Sequence, residues 1–580
     1  MLRSTRTVVG LLTFALLPGC ASEAPSQYYD LVASFRAATL IEAPDGPPRA
    51  DPGARLLFLP AGSTLTYSFE AYRETTLAFE RMTARGTGVR LEVSLSSDED
   101  DGLFEGVLDR AGGQRAIDLP FEIQDGASMP VSLTLTVDGT SPAPGDGVLL
   151  TGPTLRGLVP AAVTEAPASF QPPESHPNVI IYLIDTLRRD RLGTYGYERP
   201  VSPHIDEFAE NATVFENAIG QASWTKPSVA SVFTGVWPPV HEATHWSRRL
   251  PKRFDTLAER LSAVGYETAA FVTNANVSPA FGFDQGFEHF WLEKKHHSDL
   301  VNDEVFSFLE ARDQDRPLLL YVHTMDPHAG YDPKEPFRSR LAPTADQMEK
   351  WRPRWKWPTK NLPFLSDLYD AEIAQNDDAF GVLMANLRSR ELFESSLIVV
   401  LSDHGEEFRE HNGWRHGRVL HHGSLNVPII VKLPGQVDGS RSLVPASHVD
   451  VLPTILDVAG LDVEVGLDGQ SLASPIERPV FSHLRLGRTG KPADSAPLQL
   501  SVVSDGWKLI QVHGPKARTL LFDVTMDPGE TTNLASSLPV RTALLEGLLR
   551  ERMTRLQAEA PEEIELTDEL KKALRDLGYL

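Results

Sequence analysis

Two periodicities divide the chain. Over residues 56–158, short alternating apolar runs such as Leu65-Thr66-Tyr67-Ser68-Phe69 and Val131-Ser132-Leu133-Thr134-Leu135 lie between turns rich in Gly, Asp and Pro. Period-two alternation with that punctuation predicts an all-β domain, expected to be a sandwich. After residue 177 the pattern changes. Asn178-Val179-Ile180-Ile181-Tyr182-Leu183-Ile184 is a continuous apolar run, the kind buried on both faces of a parallel sheet. Similar runs occupy residues 268–272, 318–322, 397–401 and 428–431, with helix-period segments between them. One such segment, residues 257–264, is stopped by Gly265. Strands alternating with helices predict an α/β sandwich around a central, mostly parallel sheet. The last hundred or so residues add mixed strands and a charged helix around residues 563–577.

The flanking segments set boundaries and an address. Arg3 and Arg6 begin the chain with charge, and residues 8–17 form an apolar run too short to span a bilayer. The run ends at Leu17-Pro18-Gly19-Cys20, which resembles a bacterial lipobox, with Cys20 as the lipidated residue and proline an unusual second member. The expected organisation is a lipoprotein-type signal peptide over 1–20, a tether over 21–55 and the β domain over 56–158. A Pro/Ala/Ser linker over 159–177, an α/β domain over 178–475 and a C-terminal subdomain over 476–580 follow. No later segment of about 18 apolar residues follows. The body is therefore expected outside the cytoplasm, lipid-anchored at the cell envelope, with the outer membrane the expected surface, and otherwise periplasmic or extracellular. Cys20 is the only cysteine, so no disulfide forms within one chain.

Composition narrows the partners. A chain of 580 residues, 41% hydrophobic, buries a large core and suggests two or more domains. Its 55 basic against 79 acidic residues leave a net charge of −24, with no basic run dense enough for nucleic acid. The expected partner is a small-molecule or envelope-component ester, with membrane contact only through the lipid. Residues 56–158 show no chemistry and read as a spacer or a carbohydrate-contacting module.

The α/β domain carries the candidate chemistry at its strand ends. Asp185 follows the first strand, Asp403 and His404 follow the run at 397–401, and His328 lies just beyond the run at 318–322. In an open α/β sheet the carboxyl ends of strands form the ligand crevice. A lone Asp after a strand is usually a cap or turn residue. Three strand ends with metal-competent groups, joined by Thr225, make a hard-cation site of two carboxylates, an imidazole and a hydroxyl. Thr225 opens a predicted helix with Pro227 in its first turn and Gly235 at its end. It reads equally as an N-cap or as a hydroxyl aimed at the crevice, where the helix dipole and free amides favour an anion.

These residues carry a specific resemblance. Residues 178–196 (NVIIYLIDTLRRDRLGTYG), Ser202-Pro203-His204-Ile205-Asp206 and Phe215-Glu216-Asn217-Ala218 resemble the opening of the sulfatase branch of the alkaline phosphatase superfamily. Asp326-Pro327-His328, Ser402-Asp403-His404-Gly405-Glu406, Asn426-Val427-Pro428 and Asp450-Val451-Leu452-Pro453-Thr454 continue it in order. Asp468-Gly469-Gln470-Ser471-Leu472 and Leu521-Phe522-Asp523-Val524 close it. The resemblance implies an alkaline-phosphatase/sulfatase-like fold over about 178–535. It implies Asp185, Asp403 and His404 as metal ligands and Thr225 as the metal-bound nucleophile. It also places His328 and His416 on the oxyanion or the leaving oxygen. His323, His411, His421 and His422 are weaker candidates.

Three positions depart from the sulfatase pattern. Thr225 replaces the cysteine that matures into formylglycine, Val229 replaces the accompanying arginine, and Thr186 stands where many sulfatases carry a second ligating aspartate. Threonine at the nucleophile position is similar to superfamily members that handle phosphodiesters or phosphoryl groups. One divalent cation (Ca, Mn, Mg or Zn) is expected, because Asp326-x-His328 supplies no second ligand set. The resulting expectation is a metal-dependent ester hydrolase with phosphoesters favoured over sulfate esters. A sulfatase without formylglycine, a phosphoryl transferase and a non-catalytic surface binding protein are the alternatives.

Overall fold

The computed structural model describes residues 176–576, apart from 294–296, 343–361, 412, 464–465, 487–495 and 555–560, together with the strands between residues 26 and 158. The expected signal peptide with Cys20, and linker residues 159–175, lie outside the described residues. The chain divides into two compact units, Met1–Thr164 and Glu165–Leu580.

In the first unit all the described strand pairs are antiparallel and form three sheets. Met129–Asp138 runs between Thr64–Ala71 and Arg90–Ser96, and buries Leu133, Leu135 and Val137 while Thr134 and Thr136 are half-buried. That is the predicted alternation. Ser26–Asp30, Thr39–Glu42 and Arg49–Asp51 form edge strands inside the stretch read as a tether. Short edge strands hold themselves by backbone pairing, and their sequences carry too little alternation to reveal them.

The second unit is built on a mixed sheet. Its strands are β1 (Val179–Ile184), β2 (Thr213–Phe215), β3 (Glu267–Val272), β4 (His289–Leu292), β5 (Leu318–Thr324), β6 (Leu397–Leu401), β7 (Ile429–Lys432) and β8 (Ser440–Ser442). They are ordered β4-β3-β5-β1-β6-β7-β2-β8. The strands from β4 to β6 are parallel, β7 is antiparallel to both neighbours, and β8 is parallel to β2. The sheet is flanked by α1 (Pro203–Ala209), α2 (Thr225–Thr234), α3 (Leu257–Ala263), α4 (Ser298–Ala311), α5 (Leu362–Ser389) and α6 (Val451–Val458).

The continuous apolar strands face two cores. Val179, Ile181 and Leu183 of β1 pack with Val229 and Phe233 of α2, Leu261 of α3 and Leu452 of α6. The alternate residues Ile180, Tyr182 and Ile184 pack with Phe208 of α1, Val305 of α4 and Leu368 and Phe380 of α5. Burying each large side chain contributes roughly 1.5–3 kcal/mol, so a strand covered on both faces has no place for a polar residue until it ends. The fold is the expected α/β sandwich with a mostly parallel sheet.

Beyond it, β9 (Val480–Leu484), β10 (Gln499–Ser504), β11 (Trp507–Val512) and β12 (Arg518–Asp523) form an antiparallel meander. Leu545 and Leu549 of α7 (Pro539–Thr554) cover it. The expected terminal helix is α8 (Asp568–Asp576), whose Leu570 and Leu574 join the core on the α2 side of the main sheet. No helix among the described residues is long and apolar enough to cross a membrane.

Candidate active site

The sheet delivers its polar residues at the carboxyl ends of β1, β3, β5 and β6, and α2 brings Thr225. Asp185, Thr225, Asp403 and His404 are fully buried. His404 Nε2 lies 3.3 Å from Thr225 Oγ1, 3.3 Å from Asp403 Oδ2 and 3.9 Å from Asp185 Oδ1. The structure thus brings these four expected residues together. The His416 ring lies 4.5 Å from that of His404 and 5.0 Å from that of His328, so both remaining candidates stand at the same site.

The local fold explains how Thr225 comes to face the site. Trp224, with extended backbone, occupies the N-cap position of α2, and Thr225 is the first helical residue. Thr225 is therefore not the capping residue. All ten residues of α2 are buried, and Gly235 takes φ 67° at its end. Val229 is fully buried in the core on this side of the sheet.

Two further residues complete the cluster. Asn274, just past β3, donates to Asp185 Oδ2 at 2.6 Å and to Thr225 Oγ1 at 3.3 Å, while its own carbonyl accepts from the Asn276 amide. His323, within β5, places Nε2 3.1 Å from Asp185 Oδ2. The sequence reading omitted Asn274 and ranked His323 low. The strand-end rule that selected Asp185 also reaches Asn274.

The electrostatics call for a cation. Burial raises the Asp185 carboxyl, but the hydrogen bond from His323 and the charges of His328, His323 and His404 outweigh it and hold the group well below the usual carboxylate range. Asp403 is pushed up by burial and by the charge of Asp185. Burial also pushes His328 down to about 4 and His416 well below its ordinary value. Asp185 Oδ1, Asp403 Oδ2 and His328 Nε2 are buried with no hydrogen-bond partner among the described residues. Unpaired buried carboxylate oxygens are costly, and a divalent cation between them relieves both the desolvation and the mutual repulsion. The donor set fits such an ion.

Thr186, beside Asp185, adds no third carboxylate to Asp185 and Asp403. It adopts φ 61°, donates its amide to Asp403 Oδ1 at 3.1 Å and accepts at its carbonyl from Tyr369. Its hydroxyl is buried with no hydrogen-bond partner among the described residues.

His411, His421 and His422 belong elsewhere. The His411 and His421 rings stack 3.7 Å apart, and His421 Nδ1 lies 2.6 Å from Glu530 Oε2. The ammonium of Lys508 sits 2.7 Å from Glu530 Oε1, both side chains fully buried. That carboxylate already has its cation, so the group reads as a structural ion cluster.

With this geometry in hand, similarity to known proteins assigns the family. Residues 177–461 match the sulfatase family model, and residues 409–559 match the model described as N-sulphoglucosamine sulphohydrolase, C-terminal. The domain belongs to the sulfatase family. Members of that family are ester hydrolases, and this chain is one of them. It is 23% identical over 464 residues to arylsulfatase K of Bos taurus, covering 68% of this chain and 85% of the relative. It is 22% identical over 491 residues to N-acetylglucosamine-6-O-sulfatase of Bacteroides thetaiotaomicron, covering 65% and 86%. The solved phosphonate monoester hydrolase of Agrobacterium radiobacter shares the fold with a TM-score of 0.56 at 19% identity, over 67% of this chain and 100% of that one.

Proposed function

We propose that this sulfatase-family domain cleaves phosphate- or sulfate-type esters, phosphoesters favoured, by in-line attack of the Thr225 hydroxyl oxygen. The observation that carries this reading is the setting of Thr225. Its hydroxyl lies between His404 and Asn274 at the head of a buried helix, and threonine cannot mature into formylglycine. Asp185, Asp403, His404 and Thr225 would hold one divalent cation (Ca, Mn, Mg or Zn), whose charge favours the ionised hydroxyl and a nonbridging substrate oxygen. Asn274 orients both Asp185 and Thr225. His328 and His416 stand at the equatorial and leaving oxygens, and one of them takes the Thr225 proton and passes it to the leaving alcohol. The bond from phosphorus to Thr225 Oγ1 forms as the bond to the leaving oxygen breaks. Water then attacks the phospho-threonine and restores the hydroxyl.

Sulfate is the second reading, favoured by relatives named as sulfatases. Formylglycine hydrate releases sulfate by elimination from a geminal diol. A sulfo-threonine has no second hydroxyl on that carbon and needs direct hydrolysis. Parallel turnover of an aryl sulfate, a phosphate monoester, a phosphodiester and a phosphonate ester tests the order. Phosphoryl substrates should lead, and a Thr225-dependent preference for sulfate would reverse the assignment. Trapping an adduct on Thr225 by mass spectrometry tests the covalent step. Release to an acceptor alcohol instead of water would make the protein a transferase. The lipobox-like stretch ending at Cys20 supports action at the cell envelope on substrates there.

A further inference from the structure

Glu406 is wholly buried two residues past His404. Both carboxylate oxygens are engaged. The Tyr331 hydroxyl donates to Oε2 at 2.5 Å, and Oε1 lies 2.7 Å from Nδ1 of His416. Local pairing makes this contact. Glu407 and Phe408 pair antiparallel with Arg415 and Trp414, which sets Glu406 across from His416 at the open end of a small ribbon. The Gly417 amide donates to the Ser223 carbonyl at 2.6 Å and ties the far side of the ribbon to the segment leading into Thr225. Tyr331 is itself packed against Tyr369, whose hydroxyl bonds both the Thr186 carbonyl and the Arg188 amide. The carboxylate is therefore aimed from two sides.

We infer that Glu406 is a positioning residue that keeps hydrogen on Nδ1 of His416 and fixes the orientation of its ring. A carboxylate accepts and does not donate, so the nitrogen facing it is the one that carries hydrogen. The ring is then fixed beside His404 and His328. An imidazole held by a carboxylate behaves as in other acid–base sites, where the partner sets the tautomer and orientation. The consequence for turnover rests on the proposed role of His416, whereas the tautomer does not.

Nitrogen-15 histidine NMR of the full-length protein decides the point, with His416 identified by the signals absent from His416→Gln. Wild type should show His416 protonated at Nδ1, and Glu406→Ala should show a mixture of tautomers. In Glu406→Ala, kcat for an alkyl ester with a poor leaving group should fall about 10–100-fold with little change in KM. The loss on a nitrophenyl ester should be several-fold smaller. Glu406→Gln, whose amide oxygen can accept from Nδ1, should recover most of the alkyl-ester rate. An Nδ1 of His416 without hydrogen in resting wild type overturns the inference, as do equal losses on both esters. The nitrogen-15 readout needs no turnover, so absence of ester hydrolysis would sink the proposed reaction without obscuring the role of Glu406.

Discussion

Thr225 is one atom group away from several chemistries, and its surroundings decide among them. His404 and Asn274 lie 3.3 Å from its oxygen, which is the arrangement the proposed nucleophile needs. Thr225→Ala should therefore lower phosphoester turnover by at least about a thousandfold while leaving the melting temperature nearly unchanged. Asn274→Ala should cost roughly 10–100-fold, read as both lower kcat and weaker activation by added divalent cation. That Asp185, Asp403, His404, Thr225, His328 and His416 stand together was legible because each follows an obvious strand or sits in a recognisable motif. Asn274 was not, since the amide of Thr-Asn-Ala-Asn looks like ordinary turn chemistry. His323 lies inside β5, and sequence does not tell which partner an in-strand imidazole meets across the sheet.

Elements made of uninterrupted apolar residues were the easiest to foresee. The observed bounds of β1, β3, β5, β6 and β7 fall within two residues of the runs that announced them. Helix α5 had no such signal despite its 28 residues. Its buried positions include Asp370, Glu372, Gln375, Asn376 and Asp377, which break the apolar stripe a helix usually shows. They are used as acceptors and donors: Asp377 takes the amides of His204 and Ile205 at the start of α1, and Asn376 joins the Tyr182 hydroxyl to the Asp326 carbonyl. The ion cluster beside the C-terminal meander makes a further prediction at this scale. Burial raises Glu530, but Lys508, then His422 and His421, overcome it and hold the carboxyl well below its usual range. A depressed folded value means stability that is present above the unfolded value near 4.3 and is lost as pH falls below it. Glu530→Gln should destabilise by about 3–5 kcal/mol at neutral pH, since it strands the buried Lys508 charge. Denaturant titrations should show that difference shrinking below about pH 4.

At the level of the whole molecule, every residue assigned to the site lies in Glu165–Leu580. Deleting residues 1–164 should therefore leave turnover of soluble esters in place, checked by comparing kcat/KM of the two proteins. The proposed lipid attachment at Cys20 makes its own prediction: Cys20→Ser should move the protein from the membrane fraction to the soluble fraction and abolish radiolabelled-palmitate incorporation. The α/β class was readable from the change of period near residue 178, because buried parallel strands and alternating edge-exposed ones write different patterns. The three strands within residues 26–51 were not, because they are short, polar and placed at sheet edges.

Trp224, not Thr225, holds the N-cap position of α2. The helix thus does not depend on the chemical nature of its first side chain. Serine, cysteine or threonine can stand there without disturbing the frame. Under the proposed chemistry, the attacking group is set by one side chain at the head of α2 while the frame that holds it is set by the neighbouring cap and the buried helix.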